Sequence, residues 1–280
     1  LDILCRIRSD QDTDNFILSG IREAIIEAME RFHRASTVVQ TGAMVLARLA
    51  QNRRAAEGEI EFFIDEVSRV DTAASTVQKC CQALECISVN EDNQVRIVLR
   101  GGIECVLDVM KRFSGITSLQ FDALALLRNL VCVTDQVAGF LTGSLVENIV
   151  LAMNMHADNF KVQYYGCCCL ANSSCCQSIH SEAIRFSAHS AVIAAMKNHK
   201  KTDMVQYAGC RCLWNFTDDF EFKKQIARAG GVEVAVRAMV DHQSSKEVQL
   251  CGAGFLMNIL ATPQLRDEFC STSVIDVISL

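Results

Sequence analysis

A repeat with a period of 43 residues constrains the fold of this 280-residue chain more than any other feature. Four segments align without gaps: LQFDALALLRNL ending at Leu130, VQYYGCCCLANS ending at Ser173, VQYAGCRCLWNF ending at Phe216 and VQLCGAGFLMNI ending at Ile259. They share one leucine each, at Leu127, Leu170, Leu213 and Leu256. Two earlier copies, VQTGAMVLARL and VQKCCQALECI, place the same leucine at Leu46 and Leu84. A period of this length is typical of stacked helical units.

A second element follows the same period and predicts further helices. Its methionines are Met110, Met153, Met196 and Met239, with Met29 closing an equivalent segment near the start. Apolar residues before them recur at the spacing of one helix face, as in Ile103, Val106, Leu107 and Met110. Two of these helices follow a glycine pair, Gly101-Gly102 and Gly230-Gly231, which predicts a sharp turn. A short helix from Phe220 to Ala229 should precede the second turn.

Each unit therefore reads as a short helix, a glycine turn, a second helix, a polar loop and a longer third helix that begins at the Val-Gln pair. The single proline of the chain favours such uninterrupted helices. This plan resembles the armadillo repeat family. The resemblance implies an all-α, right-handed superhelical solenoid of about six three-helix repeats. Residues 1–280 should form one armadillo-repeat domain whose first and last repeats are partial.

A small residue stands four positions before each shared leucine. These residues are Gly42, Cys80, Ala123, Gly166, Gly209 and Gly252. Glycine inside a helix is unfavourable by up to about 1 kcal/mol relative to alanine, so its recurrence predicts close packing of a neighbouring helix. The same reasoning predicts that most cysteines of the third helices are small buried apolar residues.

Charge and cysteine content exclude several classes of function. The net charge of -6 is spread along the chain without a basic stripe, which argues against nucleic acid as a partner. The 15 cysteines include two adjacent pairs and one run of three, a spacing that indicates free thiols in a reducing compartment. No apolar run is long enough to form a transmembrane segment. We therefore expect a cytoplasmic protein, or one held at the cytosolic face of an organelle membrane.

An asparagine follows each shared leucine by two residues in the last four copies, at Asn129, Asn172, Asn215 and Asn258. In armadillo proteins, asparagines at the matching place form a ladder along the concave groove and bind the backbone of an extended peptide. A side-chain amide suits this role because it both donates and accepts hydrogen bonds. The alternative is that these amides cap or brace neighbouring helices. The first two copies carry Arg48 and Cys86 instead, so binding should lie in the last two thirds of the chain.

Four other residues complete the predicted groove. Arg211 could pair with a carboxylate of a partner, and Cys168 is the thiol expected near the groove and reactive. Tyr165 is a candidate rim anchor, or else covers the junction between repeats. Trp214, in a Leu-Trp-Asn run that resembles other armadillo proteins, is either a groove anchor or a packing residue. Where nuclear-import receptors carry lysine-gripping tryptophans, this chain has none, which argues against recognition of nuclear-localisation signals.

No catalytic motif, metal-ligand spacing or cofactor fingerprint is present, so we expect neither an enzyme nor a metal or cofactor site. His189 takes the place of Ile103 and Val232, which predicts a partly buried residue at a helix start. The function that fits best is a scaffold or adaptor that binds a protein or peptide segment in its concave groove. Two alternatives remain: a regulatory module of a larger enzyme, and a scaffold tethered to an organelle membrane by an acylated segment before residue 1.

Overall fold

The structure is a computed structural model, and it describes residues 20–50, 54–55, 58–132, 138–141 and 143–271. All regular secondary structure within these ranges is helical, which confirms the predicted all-α class. The chain divides into two compact units, Leu1–Phe140 and Leu141–Leu280, which we call unit 1 and unit 2. No helix in the described ranges has both the length and the apolar character needed to span a bilayer.

Unit 1 contains seven described α-helices. They are α1 (Ile21–Arg31), α2 (Ser36–Ala50), α3 (Glu59–Ser68), α4 (Ala74–Ile87), α5 (Glu91–Leu99), α6 (Gly102–Arg112) and α7 (Thr117–Leu130). The third helices of successive repeats, α2, α4 and α7, contact one another in order. A short 3-10 helix, Ala138–Phe140, ends the unit.

Unit 2 contains nine described α-helices. They are α8 (Gly143–Met155), α9 (Phe160–Ser173), α10 (Gln177–Arg185), α11 (Ala188–Asn198), α12 (Asp203–Asn215), α13 (Phe220–Ile226), α14 (Val232–Asp241), α15 (Lys246–Leu260) and α16 (Pro263–Ser271). Its third helices are α9, α12 and α15, and they also contact one another in order.

The turns between first and second helices form where the glycine pairs predict them. Gly101 has a φ of 78° and Gly230 a φ of 96°, a left-handed conformation that glycine adopts without a steric penalty. The predicted helix from Phe220 to Ala229 is α-helical only as far as Ile226. The chain then kinks within Ala227–Gly231, where Gly230 takes a left-handed, non-helical conformation before α14 begins.

The recurring methionines and glycines pack directly against each other. A methyl group built on Gly209 would lie 2.5 Å from Met196 Cγ. The corresponding distance is 2.6 Å between Gly166 and Met153, and also 2.6 Å between Gly252 and Met239. This confirms the close packing predicted at the small positions. Each methionine precedes its partner by 13 residues. In one repeat the larger Cys80 replaces the glycine, and the shorter Val67 replaces the methionine of the second helix. Both side chains are fully buried.

In four repeats, the glutamine at the second position of the aligned third-helix segment closes the end of the preceding second helix. Gln206 Nε2 donates to Met196 O (3.0 Å) and to His199 O (2.9 Å), two carbonyls left without helical partners. Gln120, Gln163 and Gln249 make the same pair of bonds in their own repeats. This glutamine therefore fixes the loop between second and third helices in these four repeats, whereas Gln40 donates to Ser75 and Thr76 and Gln78 donates to Asp122.

Candidate functional site

The asparagine face is the name we give to the side of α9, α12 and α15 that carries Asn172, Asn215 and Asn258 in unit 2. These three helices lie side by side, so their equivalent residues follow one another across the unit. All three asparagines are half-buried. The face thus places the last three predicted asparagines together, and Asn129 lies in unit 1.

The amides of Asn215 and Asn258 contact the preceding repeat, at or just after the end of its third helix. Asn215 Nδ2 donates to Ala171 O (2.9 Å), and Asn258 Nδ2 donates to the Thr217 hydroxyl (2.7 Å). Asn215 makes no other hydrogen bond among the described residues. One amide hydrogen and the Oδ1 atom of Asn215 are therefore available for a ligand, while the brace described as the alternative role is present as well.

Asn129 repeats this arrangement in unit 1. Its Nδ2 donates to Ser88 Oγ (2.9 Å) and Glu85 O (3.2 Å), both on the preceding repeat. Its Oδ1 accepts from Arg128 Nη2 (3.1 Å). Asn129 is therefore more fully engaged within the protein than Asn215, and it has less capacity left for a partner.

Arg211 lies on the asparagine face, on α12, and its side chain reaches α9. Its Nη2 donates to Asn172 Oδ1 (2.7 Å), and its guanidinium lies 5.7 Å from the centre of the Tyr207 ring. Nε is buried without a hydrogen bond, and Nη1 has no hydrogen-bond partner among the described residues. The guanidinium is thus held in a fixed position with donors still available.

Trp214 and Tyr165 are both half-buried, and each makes contacts within the protein. Trp214 covers Gly254 of the next third helix so closely that a methyl group there would lie 2.5 Å from Cε2 of the indole. Trp214 thus packs between two third helices, and part of its ring remains exposed. Tyr165 stacks at a tilt on Tyr164, with the ring centres 5.0 Å apart.

Cys168 is only 3% exposed, so the expectation of an accessible, reactive thiol is wrong. The helix repeat predicted which side of α9 Cys168 occupies, but packing around that side buries the thiol almost completely. Its neighbours Cys167 and Cys169 are fully buried, as predicted. Burial also raises the pKa of Cys210 to about 12, which keeps that thiol protonated and unreactive at neutral pH.

Sequence reasoning missed the partners of the asparagines. Ser88 and Thr217 each donate their hydroxyl to the carbonyl three residues earlier, and each also accepts from the asparagine of the next repeat. Ser174 donates in the same way to Ala171 O, the atom that also accepts from Asn215. The signal was available, because a hydroxyl stands at the same repeat position in all three copies.

His189 is more deeply buried than predicted. It lies in the first turn of α11 at 7% exposure, with its ring 5.5 Å from that of Phe222 in an edge-to-face contact. Burial lowers the pKa of His189, so the neutral imidazole is favoured. No cluster of three or more histidine, cysteine or acidic side chains suited to a metal ion occurs among the described residues.

The stacked helices, the glycine turns and the in-register third helices define an armadillo-repeat protein. The model of the LRRK2 ARM repeat family matches residues 60–251, which is well over half of the chain. The chain therefore belongs to the LRRK2 ARM repeat family. No curated protein matches its sequence. Armadillo repeats commonly serve as protein-binding scaffolds.

Solved structures agree on the fold. The crystal structure of an engineered protein from the Northeast Structural Genomics Consortium gives a TM-score of 0.75 at 20% identity, covering 86% of this chain and 99% of that one. A designed armadillo repeat protein in complex with the peptide (KR)4 gives 0.68 at 11% identity, covering 84% and 98%. At these identities the likeness establishes the fold alone.

Proposed function

We propose that this protein is a scaffold whose asparagine face binds an extended segment of a partner protein. The segment would lie across α9, α12 and α15, with backbone groups on Asn172, Asn215 and Asn258 and a rim contact at Tyr165. Asn129 is the corresponding candidate in unit 1, where its amide is more fully engaged within the protein. The free thiols among the described residues support action in a reducing compartment such as the cytoplasm.

The observation that carries this proposal is the state of Arg211. The matching position holds Met44, Gln82, Ala125, Cys168 and Gly254 in the other copies, so a cation here is particular to this repeat. Asn172 and Tyr207 hold the guanidinium in place, and Nη1 remains without a hydrogen bond among the described residues. A carboxylate that meets such a pre-positioned donor loses little side-chain freedom on binding.

The segment should therefore contain an aspartate or glutamate where it crosses α12. In this it differs from the basic peptide that the designed armadillo protein holds. The uncharged asparagines would contact its backbone without reading its sequence, whereas Arg211 would select the acidic residue.

Affinity capture from a lysate of the source cells tests the proposal, with wild-type chain compared with Arg211→Gln. Arg237→Gln is the matched control, because Arg237 is an exposed arginine of unit 2 on α14. We expect a partner that binds wild-type chain and the control but is lost with Arg211→Gln. The affinity of an acidic segment of that partner should fall by about tenfold or more in Arg211→Gln, measured by calorimetry. Partners retained equally by all three proteins would exclude the asparagine face.

A further inference from the structure

A polar cavity of about 450 Å³ lies in unit 1, apart from the asparagine face. It opens between the loop that joins α1 to α2 and the loop that joins α3 to α4. Its lining includes His33, Arg34, Glu66, Arg69, Asp71 and Thr72. Nothing in the proposed function uses this cavity.

Glu66 is out of place in the repeat. Its position, 18 residues before the shared leucine, holds small or medium apolar residues in the other copies: Ala28, Val109, Ala152, Ala195 and Ala238. Glu66 is only 2% exposed. A buried carboxylate is unfavourable unless it is paired and hydrogen-bonded, so a carboxylate at a position that otherwise takes alanine or valine needs a reason.

The hydrogen bonds of Glu66 are incomplete. Oε1 accepts from the Thr72 hydroxyl (3.2 Å). Oε2 lies 3.1 Å from Arg69 Nη1, but it is buried without a hydrogen bond of acceptable geometry among the described residues. The Arg69 side chain is 44% exposed. Arg69 therefore covers the carboxylate and balances part of its charge without supplying the donor that Oε2 lacks.

The corresponding gaps between other pairs of repeats are bridged by a side chain. In unit 1, Arg112 donates from Nη2 to Val67 O (2.7 Å) and from Nη1 to Arg69 O (3.1 Å) across the end of α3. In unit 2, His199 Nε2 lies 2.8 Å from Ala157 O, and His242 Nε2 lies 2.7 Å from Lys200 O.

At the gap that holds the cavity, the described residues include no such bridge between the ends of the second helices. The residue that matches His199 and His242 is Val70, which is 86% exposed. The residue that matches Arg112 is Arg69, which turns to Glu66 instead. The cavity is therefore an open gap between two repeats. In the next gap along unit 1, the guanidinium of Arg112 lies at the corresponding place.

We propose that this cavity binds an arginine side chain of a partner peptide. The incoming guanidinium donates to Glu66 Oε2 and lies near the Asp71 carboxylate, while Arg69 moves out to solvent. An anion is disfavoured as the occupant, although Arg34 and Arg69 line the cavity, because it would approach a buried carboxylate that already lacks a donor. The proposal depends on unit 1 alone and is independent of the asparagine face.

Fluorescence anisotropy with a labelled peptide of repeated Gly-Gly-Arg tests the proposal. The control peptide carries citrulline, which has the shape of arginine without its charge. Wild-type chain should bind the arginine peptide at least about tenfold more tightly than the citrulline peptide, as for a hydrogen bond between charged groups. Glu66→Gln, which keeps the side-chain volume and the bond from Thr72, should remove this preference. Arg69→Met, which uncovers the carboxylate, should strengthen binding of the arginine peptide.

Glu104→Gln is the matched control, because it removes an exposed negative charge of unit 1 on α6 and should leave binding unchanged. Unchanged thermal unfolding of Glu66→Gln would show that a loss of binding is not a loss of fold. Equal binding of both peptides, or wild-type affinity in Glu66→Gln, would overturn the proposal. So would inorganic phosphate that raises the melting temperature of wild-type chain but not that of Arg34→Gln, since this would make the cavity an anion site.

Discussion

At the scale of single residues, contacts between repeat positions govern the stability of this protein. The methionine that ends a second helix and the glycine of the following third helix are one such pair, since no side chain larger than hydrogen fits beside Met196 without a shift. In one repeat, alanine takes the place of the glycine beside the methionine, as Ala123 beside Met110, so a single methyl group can be accommodated. A β-branched side chain should not fit.

Gly209→Val should lower the free energy of unfolding by about 1 to 3 kcal/mol, because it overpacks the contact between α11 and α12. Met196→Ala in the same chain should restore part of the loss by making room for the valine. A double-mutant cycle from urea denaturation measures the coupling, which we expect to exceed about 0.5 kcal/mol. Gly115→Val is the control, because no atom lies within 4 Å of a methyl group built there. Additive effects of the two substitutions would contradict the account.

The buried thiols should make the protein less stable at alkaline pH. Burial raises the pKa of Cys210 from 9.0 to about 12, so between these values the unfolded chain releases a proton that the folded chain retains. Stability is therefore fully present below pH 9 and is lost as the pH rises, by about 1.4 kcal/mol per pH unit for each such thiol. Urea unfolding at several pH values from 8 to 11 should show this slope, and Cys210→Ala should reduce it. An identical slope in the variant would show that Cys210 does not contribute.

At the scale of helices and turns, a left-handed residue precedes five of the described second helices and sets the change of direction there. Glycine occupies this position in four repeats, as Gly20, Gly58, Gly101 and Gly230, and Ser187 occupies it in another with a φ of 52°. A residue with a Cβ atom is strained in this conformation by about 1 to 2 kcal/mol. The repeat that contains α11 therefore carries strain that its sister repeats avoid.

Ser187→Gly should raise the free energy of unfolding by up to about 1 kcal/mol, since relief of strain outweighs the greater freedom of glycine in the unfolded chain. The reverse change, Gly101→Ser, should lower it by a similar amount. Chemical denaturation of both variants beside wild-type chain provides the measurement. Ser244→Gly, in an exposed turn where the φ is not positive, should not stabilise the protein. Equal effects of Ser187→Gly and Ser244→Gly would rule out strain as the cause.

The helices and turns could be predicted from the sequence because each depends on residues close together in the chain. The 43-residue period, the Val-Gln pairs near the starts of third helices and the glycine turns are local signals. The Met196–Gly209 contact follows because the methionines and the glycines recur with the same period. The roles of the site residues could not be predicted in this way. The bond from Asn215 to Ala171 O spans 44 residues, and an amide can brace a helix or bind a ligand with the same atoms. Burial of Cys168 likewise depends on packing between helices that the pattern does not reveal.

At the scale of the whole molecule, the chain is an armadillo-repeat protein with the proposed binding face in unit 2 and the proposed arginine cavity in unit 1. At both sites, one repeat carries a charged side chain at a position where the other repeats carry uncharged residues. Arg211 replaces uncharged side chains on the asparagine face, and Glu66 replaces buried apolar ones beside the cavity. A stack of similar repeats needs neither charge for its packing, which is why departures from the repeat identify the candidate sites.

Site-specific photocrosslinking tests the central claim, that the partner lies on the asparagine face, most directly. Tyr165 would be replaced by p-benzoylphenylalanine, and Leu151, an apolar residue of α8 that is 56% exposed, would carry the same group as the control. We predict that the captured partner crosslinks from position 165 and not from position 151, and that Arg211→Gln abolishes the crosslink. Crosslinking from position 151 alone, or from position 165 with undiminished yield in Arg211→Gln, would contradict the account.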